Sequence, residues 1–368
     1  MLIFDCGIVY CAIMKEFLLK IASLLYGMAI KLRHFCFDTG ILHSESFDIP
    51  IICVGNITAG GTGKTPTVEM LVEYYSKFNN LAVLSRGYGR KTKGSYREVQ
   101  VDDAYRMVGD EPLQIKRKFP NVKVVVCANR TFAIHRIMEE SPEIDMIIMD
   151  DGFQHRYVKA LVNIIIVDYT RPVHRDHLLP YGQLRDSMES LTRANYFIVT
   201  KCPEDINAAD MRVMINSVKT KASQEIFFSR VKADAPCPVF AEVEGTVAAG
   251  AEVIAMSGIG NSEAFNDGLA KRYKVVETLD LEDHHSYRMN DLIRMQQLLS
   301  KYPNAVIMTT EKDAVKLFNS AAIPEEVRRR MFYERISLEF FKEGRDELLE
   351  KIDKDIKNRK NEGYIKGF

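Results

Sequence analysis

Thr58-Ala59-Gly60-Gly61-Thr62-Gly63-Lys64-Thr65 is a run of residue types suited to holding phosphate. Glycines let backbone N–H groups turn inward around anionic oxygens, and a helix starting at the end of the run adds its positive pole. In such a loop the Lys64 ammonium bridges β- and γ-phosphates, and the Thr65 hydroxyl binds Mg²⁺. The run departs from two spellings of the motif. G-x-x-x-x-G-K-S/T has glycine where this chain has Thr58, a change tolerated if the position needs no positive φ. K-G-G-x-G-K-S/T has lysine where this chain has Ala59, which argues against an ATPase that reaches across a dimer.

Asp150 and Asp151 end the apolar run "MIIMDD", the form of a strand that delivers a metal-organising acid. One carboxylate would hold Mg²⁺ directly or through water while the other positions substrate. Guanine readers carry N/T-K-x-D. Here "VTKCPED" supplies Thr200-Lys201 but has Pro203 in place of the aspartate, with Asp205 two residues late, which speaks for ATP over GTP.

These residues need a scaffold of alternating strands and helices. Short apolar runs at 49–54, 81–85, 122–128, 146–150, 163–168 and 196–201 read as buried parallel strands. "TPTVEMLVEYYSKF" and "EPLQIKRKF" carry helical spacing between them, and Pro66 suits a helix's first turn. A second set, 252–258, 273–278 and 304–310, follows a proline-bearing change of texture near 225–250. The expectation is a P-loop NTPase-type doubly wound α/β sheet with a second, smaller α/β domain and an N-terminal amphipathic helix. The expected boundaries are 1–35 for a membrane-associating helix, 36–224 for the ATP-binding domain and 225–250 for a linker or β-ribbon hinge. Residues 251–341 would form the second domain and 342–368 a charged helical tail.

The 368 residues carry 50 Lys plus Arg against 50 Asp plus Glu, with no long basic run, so nucleic acid is not an expected partner. Seven scattered cysteines without a C-x-x-C pair fit free thiols in a reducing compartment, with Cys53 and Cys127 in the core. In "KEFLLKIASLLYGMAIKLRHF", Glu16, Lys20, Ser23, Gly27, Lys31 and His34 recur at steps of three and four, opposite a broad apolar face. The charge-free stretch Ile21–Ile30 is too short to span a bilayer. Two readings stay open: packing on the protein's own core, or lying in a membrane interface with Lys20, Lys31 and Arg33 toward headgroups. Met14 reads as an alternative start, with residues 1–13 adding little.

Several stretches together resemble the tetraacyldisaccharide 4'-kinase (lipid A 4'-kinase) family. They are "VGNITAGGTGKTP", "LSRGYGR", "VGDEP", "DDGFQHR", "LLPYGQLRD", "DHHSY" and "TTEKD", spread over residues 14 to 320. The resemblance implies transfer of the ATP γ-phosphoryl group to the 4'-hydroxyl of tetraacyldisaccharide 1-phosphate in lipid A biosynthesis, giving lipid IVA. It places the reaction at the cytoplasmic face of the bacterial inner membrane and implies no protein partner. Asp110 of "VGDEP" matches the family's general base, paired with a histidine of "DHH"; His284 follows Asp283 directly and is preferred to His285. Glu111, with Asp150 and Asp151, would surround Mg²⁺ and phosphates. Arg86 or Arg90 would meet the acceptor's phosphate, with Tyr88 on sugar or acyl chain. Arg185 would stabilise charge on the transferring group, and Gln154 and His155 would stand behind the site. The role of "TTEKD" stays open. The alternative is a membrane-associated, nucleotide-dependent switch ATPase, against which the absence of lysine at residue 59 and the Asp110–histidine pair both speak.

Overall fold

Ile51–Gly55, Leu81–Ser85 and Met146–Asp150 are strands buried along their whole length, as continuous apolar runs covered on both faces must be. The computed structural model describes residues 2–92, 95–283, 285–318, 320 and 322–361, with side chains from 14 to 359. Two compact units are each assembled from separate stretches: 1–68, 130–230 and 339–368 in the first, 69–129 and 231–338 in the second.

In the first unit five parallel strands run in the order Glu225–Ala233, Tyr196–Thr200, Val162–Asp168, Ile51–Gly55 and Met146–Asp150. Met146–Asp150 and Val162–Asp168 thus flank Ile51–Gly55 on opposite sides. A reversal of this kind opens a crevice at the carboxyl ends of the strands, where α/β sheets take their ligands. The helix Gly344–Asn361 is more than a charged tail, because Leu348, Leu349, Ile352 and Ile356 are buried. Its Asp355 accepts from the Tyr196 hydroxyl at 2.8 Å.

In the second unit Leu81–Ser85 pairs in parallel with Lys123–Val126, and Arg97–Glu98 runs antiparallel along its edge. A five-stranded sheet follows the order Lys274–Asp280, Glu252–Ser257, Val306–Thr310, Met331–Glu334 and Cys237–Pro238, parallel except for the last. Alternate residues of Glu252–Ser257 feed two cores. Ile254 and Met256 pack with Leu292, Met295 and Leu299, and Val253 and Ala255 pack with Leu269 and Phe332. The stretch 225–250, expected as linker or ribbon, instead gives a nine-residue strand, Glu225–Ala233, and the short edge strand Cys237–Pro238. Proline is tolerated there because an edge strand need not donate on both sides. Cys36, Cys53, Cys127, Cys202 and Cys237 carry free thiols, with Cys53 and Cys127 buried as expected.

One helix occupies Leu2–Asp38. From residue 14 onward it docks on the first unit by its polar and small side chains. The Ser23 hydroxyl donates to the Leu178 carbonyl at 2.8 Å, and the Tyr26 hydroxyl to that of Arg185 at 3.0 Å. Arg33 donates to the Gln154 carbonyl at 2.8 Å, so it is held by the protein and not turned toward headgroups. His34 is fixed at both nitrogens: Arg156 donates to Nδ1, and Nε2 lies 2.7 Å from Asp186. Gly27 permits this approach, since a Cβ there would stand 2.9 Å from a methyl of Leu178. Phe17, Leu18, Leu24, Leu25, Leu32 and Phe35 are left more than half exposed. No helix among the described residues is long and apolar enough to cross a membrane.

Candidate active site

Val54 registers with Asp150, so the strand ending in the carboxylates lies directly beside the strand that enters the glycine loop. Within the loop Gly60 and Gly63 have φ values of +95° and +96°, conformations that side chains rarely adopt. Thr58 is absent from the positive-φ residues and forms a bridge with Leu184, which accounts for a threonine where the first pattern has glycine. The Ala59 N–H donates to the Gln183 carbonyl at 2.8 Å. Lys64 opens the helix Lys64–Tyr75, with Thr65 second.

Around the loop's lysine stands a charged cluster. Lys64 Nζ is 3.9 Å from Asp151, and Arg185 pairs with both carboxylate oxygens of Asp151, one at 2.9 Å. Burial works to raise the Asp151 pKa, but the Arg185 hydrogen bond and the Lys64 and Arg185 charges prevail and hold it below the ordinary aspartate value. Asp151 itself takes a left-handed backbone, φ 48°, and such strain collects at functional sites. Arg185 also reaches Asn56 Oδ1, while Asn56 donates to the Thr62 hydroxyl at 2.7 Å and takes Gln154 on its carbonyl at 2.8 Å. Gln154 is therefore bound to the turn after the first strand. His155 packs its ring 5.5 Å from that of Tyr157. Asp150 is 2% exposed at its strand's end.

In the second unit, Asp110 begins the helix Asp110–Lys118 and is 5% exposed. It follows Gly109, whose φ of +98° turns the chain into that helix, and it accepts from the Glu111 N–H at 3.0 Å. Lys312 Nζ lies 3.8 Å from Asp110 and 3.4 Å from Asp283. Burial pulls the Lys312 pKa down, yet Asp110, Glu111 and Asp283 together leave it raised. His284 lies outside the described residues. His285 is bound to Asp291 at 3.0 Å, and that carboxylate also accepts from the Arg288 N–H at the start of Met289–Lys301.

"LSRGYGR" divides by exposure. Arg86 is exposed and Tyr88 is 70% exposed. Arg90 is buried, and its guanidinium donates to the carbonyls of Val126 and Ser95. It anchors the chain after Leu81–Ser85, which corrects its expected place on the acceptor. "TTEKD" gains a structural role. The Thr310 hydroxyl accepts from the Asp313 N–H, and Asp313 in turn accepts from the Gly258 N–H at 2.8 Å and from Lys316 at 3.0 Å. The motif ties the helix Glu311–Leu317 to the end of Glu252–Ser257 and aims Lys312 at Asp110.

The family model for tetraacyldisaccharide-1-P 4'-kinase, LpxK, matches residues 15–357. The chain belongs to this family. It is 39% identical over 323 residues to the tetraacyldisaccharide 4'-kinase of Porphyromonas gingivalis, covering 86% of this chain and 90% of that one. Against the Phocaeicola vulgatus protein of the same name, identity is 34% over 351 residues, covering 93% and 96%. The crystal structure of the "apo" form of LpxK from Aquifex aeolicus in complex with ATP matches with a TM-score of 0.73 and 26% identity, covering 93% of this chain and 99% of that one.

For this member of the kinase family, sequence reasoning missed Asn56 and Lys312. Asn56 sits directly after the first strand, and that position was its available signal. Lys312 lay inside one of the family's motifs, but its partner Asp110 is some two hundred positions away.

Proposed function

We propose that the protein transfers the γ-phosphoryl group of ATP to the 4'-hydroxyl of tetraacyldisaccharide 1-phosphate, giving lipid IVA. The observation that carries this reading is the glycine loop with Lys64 and Arg185 gathered on Asp151. That arrangement gathers two cations beside the glycine loop, which supports the reading because phosphoryl transfer rests mainly on positioning and charge stabilisation. The acceptor comes from the family to which the chain belongs. ATP as donor is supported by the Aquifex relative, which was solved with ATP.

Lys64 would move from Asp151 to the β- and γ-phosphates, and Arg185 would meet charge on the transferring group. Backbone amides of the loop from Thr58 to Thr65 would hold the remaining phosphate oxygens. Mg²⁺ suits the donors present. It prefers hard oxygen ligands and keeps few from protein, the rest coming from water and phosphate. Thr65 and Asp150 offer such oxygens, and Asp151 would add a carboxylate once Lys64 and Arg185 turn to the phosphates. Among the described residues no group of three or more His, Cys, Asp or Glu could hold a metal ion. Glu111 would supply a further carboxylate. Bound Mg²⁺ would neutralise charge on the phosphates.

Asp110 would accept the 4'-hydroxyl proton as that oxygen attacks, with His284 as its partner. Lys312 would fix the orientation of Asp110. Arg86 and Tyr88 would bind the acceptor. The exposed apolar side of the N-terminal helix would rest in the cytoplasmic leaflet of the inner membrane, making the enzyme peripheral or monotopic. Incubation with γ-labelled ATP, Mg²⁺ and tetraacyldisaccharide 1-phosphate in detergent should place label in the lipid. Label found solely as free phosphate would favour the switch ATPase.

A further inference from the structure

Three carbonyls of the glycine loop are bound from behind. The Thr200 hydroxyl donates to the Thr62 carbonyl at 2.6 Å, Lys201 Nζ to that of Gly61 at 2.7 Å, and Arg171 to that of Ala59 at 3.4 Å. One carboxylate organises two of these donors. Asp168, 2% exposed, accepts from Lys201 at 2.6 Å and from Arg171 at 3.1 and 3.2 Å, and also from the Thr170 hydroxyl at 2.7 Å. Lys201 holds its place with φ 57°, a left-handed backbone in a residue that is not glycine. The Lys201 charge is thus spent on Asp168 and a loop carbonyl. This is a different task from the lysine's in N/T-K-x-D guanine readers, whose aspartate is Pro203 here.

In a trans peptide the C=O and the following N–H point in opposite directions. Pinning the carbonyls of Ala59, Gly61 and Thr62 outward therefore turns the N–H groups of Gly60, Thr62 and Gly63 the other way. A loop left free would have to order those peptide planes when the anion arrives, at an entropic cost to affinity. We propose that Lys201 and Thr200, with Arg171 on the shared Asp168, are positioning residues. They hold the loop carbonyls outward so that its amides already face the nucleotide phosphates before ATP binds. The proposal rests on the loop being the ATP site.

The test compares MgATP dissociation constants and steady-state parameters for the full chain and its Lys201→Met, Thr200→Val, Thr200→Ser and Lys64→Met variants. Each charge-assisted bond lost should weaken ATP by roughly tenfold or more, so Lys201→Met raises both Kd and KM for ATP by that factor. KM for the lipid acceptor should stay within about twofold, which general loss of structure would not spare. Thr200→Val should weaken ATP by roughly fivefold, and Thr200→Ser, which keeps the hydroxyl, should restore it. If Lys201→Met does not fold, the contrast between Thr200→Val and Thr200→Ser decides the matter. Folded Lys201→Met or Thr200→Val protein that binds ATP as tightly as the parent overturns the proposal. If Lys64→Met also leaves ATP affinity unchanged, the loop is not the ATP site and the underlying reading falls. Weakening by Lys64→Met with none at 200 and 201 overturns the positioning role alone.

Discussion

Asp151 accepts from Arg185 and lies beside Lys64, so the proposed phosphate-binding lysine has a carboxylate partner within the protein. Exchanging that partner for phosphate oxygens trades one ion pair for another and avoids leaving a desolvated charge alone, which would be costly. Asp110 has a comparable relation with Lys312, and both are largely buried. If Asp110 is the general base, Asp110→Ala should lower the transfer rate by about 10²- to 10⁴-fold while nucleotide titration gives a nearly unchanged ATP Kd. Lost ATP affinity with intact folding would instead assign Asp110 to metal or structure. Much of this was legible residue by residue. Lys64 and Thr65 stand out because phosphate chemistry demands a local glycine loop, and Asp150 and Asp151 because they end an apolar strand run. Arg90 misled, since an arginine in a loop shows its charge in the sequence but not the carbonyls that consume its donors.

Elements were legible where burial was continuous. The strands of the first unit appear as uninterrupted apolar runs, whereas Ile336–Phe340 is exposed or half-buried throughout and carries Glu339, so its pattern gave no signal. The N-terminal helix was legible as a two-sided element, but which side met the protein was not. Ser23, Tyr26 and His34 bond to the first unit and leave the leucine-rich side outward. That orientation predicts that Leu24→Glu, Leu25→Glu and Leu32→Glu combined will abolish co-sedimentation with anionic vesicles and shift Tm little. Retained sedimentation, or unfolding of the triple variant, would return the helix to a core role. The helix Glu311–Leu317 makes a pH prediction. Burial, then the neighbouring Glu69 charge, pushes the Glu311 carboxyl up to about 7 against an ordinary 4.5. A raised carboxyl favours the folded state while protonated, so this contribution is full below pH 4.5 and is lost as pH rises through 7. Glu311→Gln should therefore be more stable than the parent at pH 8, by about 1–3 kcal/mol, with the gap closing near pH 4 in urea titrations. A gap independent of pH would contradict this.

At the scale of the whole molecule, separate stretches of chain build each unit: residues 69–129 group with 231–338, and 130–230 with both termini. Local periodicity carries no information about such grouping, because it depends on long-range strand pairing and not on any one run. For the same reason the partnership of Asp110 with Lys312 was invisible in the sequence, although both lay in the family's motifs. The acceptor, by contrast, was recognised from the joint occurrence of those motifs and could not be derived from any single residue. The most direct test of the proposed reaction is the position of the new phosphate in the product. Phosphorus–proton correlation NMR of lipid recovered after reaction with ATP should link a second phosphate monoester to the proton on C4' of the distal glucosamine. A phosphate on any other carbon, or unmodified lipid alongside consumed ATP, would contradict it.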